Sequence, residues 1–259
     1  IQNSGIEVEI NSTNIQSSHF TWSTSLNFSK PKNKLIAYPG LESSPYSQAF
    51  VIGMPLFIQY VFRFKNVDPA TGLFTFEDLD KDGTLTYDKD RVPVFVGQKW
   101  FGYLNNSLAF KNFTLDFSLQ YVKQTGINPA AYNFLAGVAN FNQSKEQINR
   151  WQKINDVANY QKYTQNYGTE YLAALYYTQS DAMITDASFL RLKNVFLSWS
   201  VPATWLSSKK LRQLKLFVQG QNIFTVTSFK GLDPETQGVS SGITLPSLRT
   251  LSGGINLSF

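Results

Sequence analysis

The 259-residue chain has many aromatic residues (15%), few charged ones (16%), a net charge of +5 and no cysteine. The lack of cysteine excludes a disulfide framework and thiol chemistry, and no apolar run approaches the length of a transmembrane helix. A sheet that alternates apolar and polar residues leaves no such run, so these numbers do not exclude a membrane. The densest basic cluster (Lys209, Lys210 and Arg212) is interpreted as a solvated turn, which predicts no nucleic-acid partner.

Several stretches of the first hundred residues place apolar side chains at every second position, the period of a strand. Three prolines interrupt this pattern in residues 31–45, which predicts a loop, and residues 67–96 form a second, polar interruption. The predicted strands of this part are residues 6–11, 20–29, 46–52 and 56–66.

The second part of the chain repeats the pattern with longer strands and longer interruptions. A two-residue turn at Lys111 and Asn112 joins the first pair of strands. Residues 124–184 form a long insertion that is predicted to be helical in part around 144–160, and 225–248 form another loop. The predicted strands here are residues 98–110, 113–123, 186–201, 212–224 and the final stretch 249–259.

The last of these strands separates its two faces most sharply. Leu251, Ile255, Leu257 and Phe259 fall on one face, and the other carries only glycine and small polar residues. The polar face lacks the lysine and glutamate that usually solvate a surface strand. This composition predicts that one face meets lipid and the other faces a wet, crowded lumen.

The connections between the nine predicted strands alternate between short and long. Outer-membrane barrels have this asymmetry, with short periplasmic turns and long extracellular loops. We therefore predict an all-β fold, an antiparallel transmembrane β-barrel to which this chain contributes about nine strands. The short connections are residues 12–19, 53–55, 111–112 and 202–211, and the long ones are 31–45, 67–96, 124–184 and 225–248.

Residues 180–200, SDAMITDASFLRLKNVFLSWS, resemble the SusC/RagA family of TonB-dependent outer-membrane transporters of Bacteroidetes. Seven further segments agree with that family in the same order along the chain. They are GIEVEI at Gly5, FTWSTSLNFS at Phe20, DKDGTLT at Asp80, DR at Asp90, NRWQKINDVANY at Asn149, GQNIFT at Gly220 and KGLDPE at Lys230.

The resemblance implies a barrel of about 22 strands around a plug domain, of which residues 1–259 correspond to the C-terminal part. The plug, the N-terminal strands and the TonB-contacting segment have no counterpart here. The family implies import of an oligosaccharide or a peptide across the Gram-negative outer membrane, with a SusD-like surface lipoprotein as partner and the TonB complex as energy source. The remaining part of the same barrel and the membrane lipid would be the other partners. A passive porin-like channel and, less favoured, a soluble glycan-binding β-domain are the alternatives.

Residues 78–83 read D-x-D-x-D-G, the first half of an EF-hand-type loop, in which three carboxylates converge on one cation. Lys89 occupies the position of the usual bidentate glutamate, so closure is expected one residue later. The alternative is a solvated acidic turn, but clustered carboxylates repel each other without a cation. The predicted ligands of this structural Ca²⁺ site are Asp78, Asp80, Asp82, Thr84 (through its carbonyl) and Asp90.

His19 is the only histidine, it lies in a predicted turn, and the chain has no cysteine. We therefore predict no histidine-based triad, zinc site or thiol nucleophile in this chain, and no enzymatic activity. Trp151 lies in the long insertion, where it contacts a substrate, contacts a partner or anchors its own loop. The other tryptophans lie near predicted strand ends, which is typical of a membrane-interface girdle, with sugar stacking as the alternative. These are Trp22, Trp100, Trp199 and Trp205.

Overall fold

The computed structural model describes residues 1–128, 143, 145–206, 211–236 and 245–259. The described residues contain two α-helices, α1 (Thr169–Thr178) and α2 (Ala203–Leu206). None of the helices in these ranges is long and apolar enough to cross a membrane. The strands are β1 (Gln2–Gln16), β2 (Phe20–Lys34), β3 (Ile58–Phe62), β4 (Phe64–Val67), β5 (Phe74–Phe76), β6 (Arg91–Phe95), β7 (Gln98–Phe110), β8 (Phe113–Ile127), β9 (Ile184–Asp186), β10 (Phe189–Ser200), β11 (Gln213–Thr227) and β12 (Thr250–Ser258).

Seven long strands form one antiparallel sheet in the order β1-β2-β7-β8-β10-β11-β12, and the short β9 pairs with β8. The predicted all-β, antiparallel fold class is thereby confirmed. The predicted number of nine wall strands is wrong for the part of the chain that the structure describes, where seven strands follow one another across the sheet and the short β9 is the eighth member. Within the described residues β1 pairs with β2 alone and β12 with β11 alone, so the sheet is open at both edges.

The difference in strand number comes from two segments that do not join the sheet. The predicted strand 46–52 is wrong, because these residues form turns, in which the amides of Ala49 and Phe50 donate to the carbonyl of Tyr46. The rings of Tyr46 and Phe50 lie 5.8 Å apart, a spacing of four residues that brings them together in a turn. The predicted strand 56–66 divides into β3 and β4, which pair with β6 and β5 in two small sheets.

Two further boundaries differ from the prediction. The loop predicted at residues 31–45 begins at 35, because β2 continues through Pro31. The β7 strand pairs with β2 only as far as Ser29, so Pro31 lies where a strand tolerates a missing N–H. The helix predicted around 144–160 is a 3₁₀ turn at Lys145–Asn149, while Ser144 lies outside the described residues.

The register gives the large sheet one apolar and one polar face. Residues directly opposite each other in neighbouring strands point to the same side, so continuous rows can be followed across the sheet. The face built from these apolar rows is called the apolar face, and the opposite one the polar face. One row on the apolar face comprises Ile10, Leu26, Leu104, Leu119, Leu192 and Phe224, and a second comprises Ile15, Trp22, Leu108, Leu115, Leu197 and Val218.

Aromatic residues lie at both ends of the apolar face. At the end with the short turns (the short-turn end), Trp199 packs against Phe113 and Trp205, with ring centroids 6.2 and 6.0 Å apart. At the opposite end (the long-loop end), Trp100 packs between Phe28 and Tyr121, at 5.5 and 4.7 Å.

The two longest connections, residues 35–97 and 145–188, fold together into what is called the loop unit. Its buried core contains Phe62, Val67, Phe74, Phe76 and Ala173, and the rings of Tyr176 and Tyr177 pack against it. The ring of Tyr177 stacks on Phe74 at 3.9 Å, which joins α1 to the β4–β5 sheet.

Trp151 of the second connection packs against the first. Its indole Nε1 donates to the carbonyl of Pro69 at 3.0 Å, and its ring lies against Gly72. A side-chain carbon on Gly72 would approach this ring to 2.5 Å, and its φ of +72° also favours glycine. Trp151 therefore anchors its own loop.

Candidate functional site

The polar face presents carboxamides and hydroxyls to the space in front of the sheet. A shallow cavity of about 430 Å³ lies on its middle, where Ser118 Oγ donates to Asn105 Oδ1 at 2.6 Å. Asp116 is the one carboxylate among the residues that line this cavity. The wall can therefore exchange hydrogen bonds with a passing solute without strong selection for its charge. Its lining includes Asn11, Ser23, Ser25, Asn105, Ser107, Asp116, Ser118 and Asn194.

A larger cavity of about 1060 Å³ lies at the long-loop end, between the sheet and the loop unit. Asn33 of β2 fixes the loop wall, because its Oδ1 accepts the amide of Leu56 at 2.9 Å. The lining combines apolar side chains, such as the exposed Phe57, with carboxamides, three lysines (Lys30, Lys32 and Lys99) and one carboxylate, Glu235. This composition suits a ligand with apolar groups and many hydrogen-bonding groups, carboxylates included.

Gln124 connects this cavity to the segment after β11. It is almost fully buried, and its Nε2 donates to the carbonyls of Ala187 and Pro234 at 3.1 and 2.6 Å. The cavity wall is therefore held by side-chain hydrogen bonds as well as by the ladder of the sheet.

Arg191 forms the most buried charge network of the described residues. Only 2% of Arg191 is exposed, and its guanidinium contacts Asp233 and Glu235 at 2.5 Å each. Its Nε also donates to Thr225 on the neighbouring strand, and Lys193 lies 3.3 Å from Glu235. The D-P-E segment is thereby fixed on the polar face beside the large cavity.

Burial alone would raise the pKa of the Asp233 carboxyl. The amides of Glu235 and Ser247 and the Arg191 guanidinium outweigh burial, so the pKa lies below its usual value. Both segments of this network belong to the stretches that resemble the SusC/RagA family, but their contact was not predicted from the sequence. The available signal was an arginine on the polar side of a strand, a position where a buried charge requires a partner.

The acidic loop in the loop unit brings the first three predicted metal ligands together. Carboxylate oxygens of Asp78, Asp80 and Asp82 lie within 4.8 Å of one another, the one such group of three among the described residues. Gly83, with φ of +85°, makes the turn, and its amide donates to Asp78 at 2.8 Å. The amide of Thr84 donates to Asp82 at 2.8 Å.

The other end of this loop is arranged differently. The Asp90 carboxylate is fully buried and accepts the amides of Leu79 and Thr86 at 2.8 and 2.7 Å, so it braces the loop from behind. The Lys89 ammonium instead contacts Asp80 and Asp82 at 2.8 and 3.2 Å. Hydrogen bonds to these two carboxylates raise the pKa of Lys89, and the same contact lowers that of Asp80. Any cation at this site would have to displace the ammonium.

An open antiparallel sheet with one exposed apolar face, one polar face and long connections at one end is a segment of a β-barrel wall. No family model matches the chain. Its whole length is 29% identical to the TonB-dependent receptor P3 of Formosa agariphila and 27% identical to the TonB-dependent receptor SusC of Bacteroides thetaiotaomicron.

Solved structures give the same result at the level of the fold. The RagAB peptide transporter superposes on 99% of the chain with a TM-score of 0.82 and 24% identity. The chain covers 29%, 26% and 29% of the lengths of P3, SusC and this RagAB chain. The chain is thus similar over its whole length to part of the TonB-dependent receptors P3 and SusC, and its fold is that of part of RagA, which agrees with the resemblance seen in its sequence. The relatives are named as receptors and transporters, in agreement with the prediction that the chain is not an enzyme.

Proposed function

We propose that the protein containing this chain imports a nutrient across the Gram-negative outer membrane in a TonB-dependent manner. The chain supplies the C-terminal part of the barrel wall, and the remaining strands of the barrel pair with the open edges at β1 and β12. The observation that carries this proposal is the continuous, exposed apolar face, in which Ile10 is 52% and Val218 58% exposed. Water would not tolerate a surface of this extent, whereas lipid would stabilise it.

The spacing of the aromatic residues supports the same conclusion. Trp100 and Phe110 lie ten residues apart on β7, about 34 Å along the strand. With the usual tilt of about 40° this corresponds to about 26 Å across the membrane, close to the apolar band of outer-membrane barrels. We assign the aromatic residues at both ends of the apolar face to interface girdles, and the long-loop end to the cell exterior.

The polar face would then line the route of the cargo. Its uncharged amide and hydroxyl groups and the mixed lining of the large cavity fit an oligosaccharide or a peptide. The likeness to a structure named as a peptide transporter supports the peptide. We assign the large cavity as an entry site, covered from outside by a SusD-like lipoprotein, and energy input to the TonB complex through a plug that is not part of this chain.

Uptake by cells that carry the whole receptor tests this proposal. Fluorescent peptides and oligosaccharides of matched size should be supplied to wild-type cells and to cells lacking the TonB complex. We expect uptake of one class, lost without TonB. Uptake that persists without TonB would indicate a passive channel.

A matched pair of variants tests the entry site. Gln59→Trp fills the large cavity and should reduce uptake, whereas Lys65→Trp on the exposed side of the loop unit should not. Equal uptake by both variants at normal surface level would remove the cavity from the cargo route.

We also propose that the acidic loop binds a structural Ca²⁺ ion. Three converging carboxylates and the glycine turn support this assignment, with the Thr84 carbonyl as a further predicted ligand. The predicted ligand Asp90 would have to leave its hydrogen bonds with the amides of Leu79 and Thr86 to reach the ion. Binding of Ca²⁺ would move Lys89 out of its contacts with Asp80 and Asp82.

A further inference from the structure

Strand β2 lacks a neighbour on one side near the long-loop end. Its ladder with β7 stops at Ser29, and the loop unit takes up that side again only at Leu35. There the amide of Leu35 donates to Met54 and its carbonyl accepts from Gly53, at 2.9 and 2.8 Å. Among the described strands none pairs with this side of β2 between these two points. We call residues 30–33 the open edge, and they line the large cavity.

Within the described residues, the main chain of the open edge offers unpaired hydrogen-bonding groups to this cavity. Successive residues of an antiparallel strand direct their N–H and C=O groups to opposite neighbours. The carbonyls of His19 and Leu35, which flank β2, both accept amides from the β7 side, so the odd-numbered residues of β2 face that side. Asn33 therefore presents its amide and carbonyl to the gap, and Pro31 presents a carbonyl. Such groups at a sheet edge are a template for another extended chain.

Three lysines add positive charge around the same gap. Lys30 and Lys32 belong to the open edge, and Lys99 of β7 lies on the other side of the gap. All three are exposed, and none of them forms an ion pair with any residue that the structure describes. Lys30 and Lys32 point to one side of β2, with their Cα atoms about 7 Å apart. Two ammonium groups at this spacing complement carboxylates on alternate residues of an extended chain.

The one carboxylate of the cavity lining does not neutralise these lysines. Glu235 contacts Arg191 and Lys193 instead, and Asp233 shares the same guanidinium. Two acidic and two basic side chains make this network neutral, so the three lysines of the lining remain as excess positive charge. A cleft lined by one sign of charge concentrates ligands of the opposite sign.

We propose that the large cavity binds an acidic peptide in extended form, as an added strand on the open edge. The inference deepens the proposed function, because it rests on the assignment of this cavity as the entry site. Both neighbours of β2 in the sheet run antiparallel to it, and the bound peptide is assigned the same direction.

This arrangement gives alternate residues of the peptide different roles. The residue opposite Asn33 exchanges hydrogen bonds with it, and its side chain lies on the polar face. The residues opposite Lys30 and Lys32 direct their main-chain groups away from β2 and their carboxylates toward the ammonium groups. A peptide with an acidic residue at every second position therefore fits both the main-chain pattern and the charge pattern. An anionic oligosaccharide fits only the charge pattern.

The test measures binding of short synthetic peptides to the whole receptor, purified in detergent, by calorimetric titration. The reference peptide alternates threonine and glutamate, and a second peptide has glutamine in place of each glutamate. Two further peptides carry N-methyl groups on the main chain, either at the threonines or at the glutamates of the reference peptide. An oligogalacturonate of the same charge represents an anionic oligosaccharide.

Three receptor variants are compared with the wild type. The variant Lys30→Gln/Lys32→Gln/Lys99→Gln removes the excess charge of the cavity, and replacement of the same lysines by arginine keeps it. The matched control removes equal charge from exposed positions of the loop unit outside the cavity lining, and it is Lys65→Gln/Lys145→Gln/Lys153→Gln. Heat-modifiable migration on gels shows that each variant is folded.

The reference peptide should bind the wild type most tightly. An exposed ion pair contributes up to about fivefold in affinity, so glutamine at the three lysines should weaken binding on the order of 10- to 100-fold at low salt. The glutamine peptide should show a similar loss on the wild type, whereas the control and arginine variants should bind the reference peptide as the wild type does. N-methyl groups at the threonines should weaken binding by about fivefold or more, because they remove hydrogen bonds to the open edge. N-methyl groups at the glutamates should be tolerated.

Four results would overturn the proposal. Two concern the charge: equal affinity of the wild type for the acidic and the glutamine peptide, or an equal loss in the control variant. Two concern the added strand: equal effects of the two N-methylated peptides, or an oligogalacturonate that binds as tightly as the reference peptide.

The uptake assay with and without TonB tests the proposed function separately. A receptor that imports its cargo in a TonB-dependent manner but gives one of these four results keeps its proposed function and loses this inference. Uptake that persists without TonB would contradict active import and would leave the binding result unchanged.

Discussion

The sheet and the loop unit place their apolar residues in opposite ways. On the sheet, Val218 and Ile255 are 58% and 65% exposed, and they stand in rows with other apolar residues. In the loop unit, Phe62 and Phe74 are 0% and 4% exposed. Their rings pack against Tyr176 and Tyr177 of α1, respectively. One chain thus contains a region with exposed apolar side chains and a region with buried ones.

Under the proposed outer-membrane location, this difference means that the loop unit lies in water and the apolar face of the sheet in lipid. The loop unit follows the rule of water-soluble domains, in which apolar area is removed from water. The sheet follows the rule of lipid-facing walls, in which apolar side chains remain outside and hydrogen-bonding groups line the inside. Substitutions should therefore have opposite signatures in the two regions, and this can be measured.

The largest effect is expected from Phe62→Ala in the loop unit. Phe62 is fully buried, and its ring lies 4.7 Å from Tyr176 and 5.4 Å from Tyr87. Loss of this ring should destabilise the loop unit by about 3–5 kcal/mol. Limited proteolysis of whole receptor should show faster cleavage in 35–97, with the heat-modifiable barrel intact. Phe57→Ala, at a 65% exposed ring, is the control, and equal effects of the two would contradict a water-type core.

The second largest effect tests which face of the sheet meets lipid and which faces the lumen. Arginine at Val218 on the apolar face should cost about 2–4 kcal/mol if the site lies near the membrane midplane. Arginine at the next residue, Gln219, points to the polar face, where its cross-strand neighbours are Phe196 and Ser252. Surface level and heat-modifiable migration of the two variants provide the measurement. A more damaging Gln219→Arg would mean that the two faces are assigned the wrong way round.

The sheet could be predicted from local patterns because its register repeats a two-residue period. The boundaries of β7 coincide with the predicted 98–110, and β8 begins at the predicted residue and extends to Ile127. The prediction fails where this period is weak. Tyr46 and Phe50 contact each other across a turn, although the sequence between them is equally compatible with a strand.

The loop unit could not be predicted in the same way. Its core joins residues about one hundred positions apart, such as Phe74 and Tyr177, and no local period records such a contact. The same applies to the site: the three aspartates of the acidic loop were evident from their spacing, whereas the contact of Arg191 with Asp233 depends on how a loop returns to the sheet.

A smaller effect, the difference between two glycine substitutions, separates backbone strain from packing in the loop unit. Gly72 and Gly83 both have positive φ, at 72° and 85°, but only the first lies against a side chain, the ring of Trp151. Gly83→Ala should cost about 1–2 kcal/mol from its left-handed backbone alone. Gly72→Ala should cost about 1–3 kcal/mol more, because the added methyl group collides with the indole. Proteolysis of the loop unit measures both, and equal losses would show that Trp151 is not fixed there.

The smallest effect concerns the acidic loop, which the loop unit exposes to solvent. Lys89 stands where an EF-hand-type loop has its last carboxylate, and its ammonium competes with any cation for Asp80 and Asp82. Lys89→Glu should convert this competitor into a ligand and tighten Ca²⁺ binding, Lys89→Gln should tighten it less, and Asp82→Asn should abolish it. At ten times its dissociation constant, Ca²⁺ should stabilise the loop by about 1.4 kcal/mol. Calorimetric titration of the whole receptor measures the affinities, and proteolysis with and without chelator measures the protection. If neither the wild type nor Lys89→Glu responds to Ca²⁺, the three carboxylates form a solvated turn that Lys89 alone neutralises.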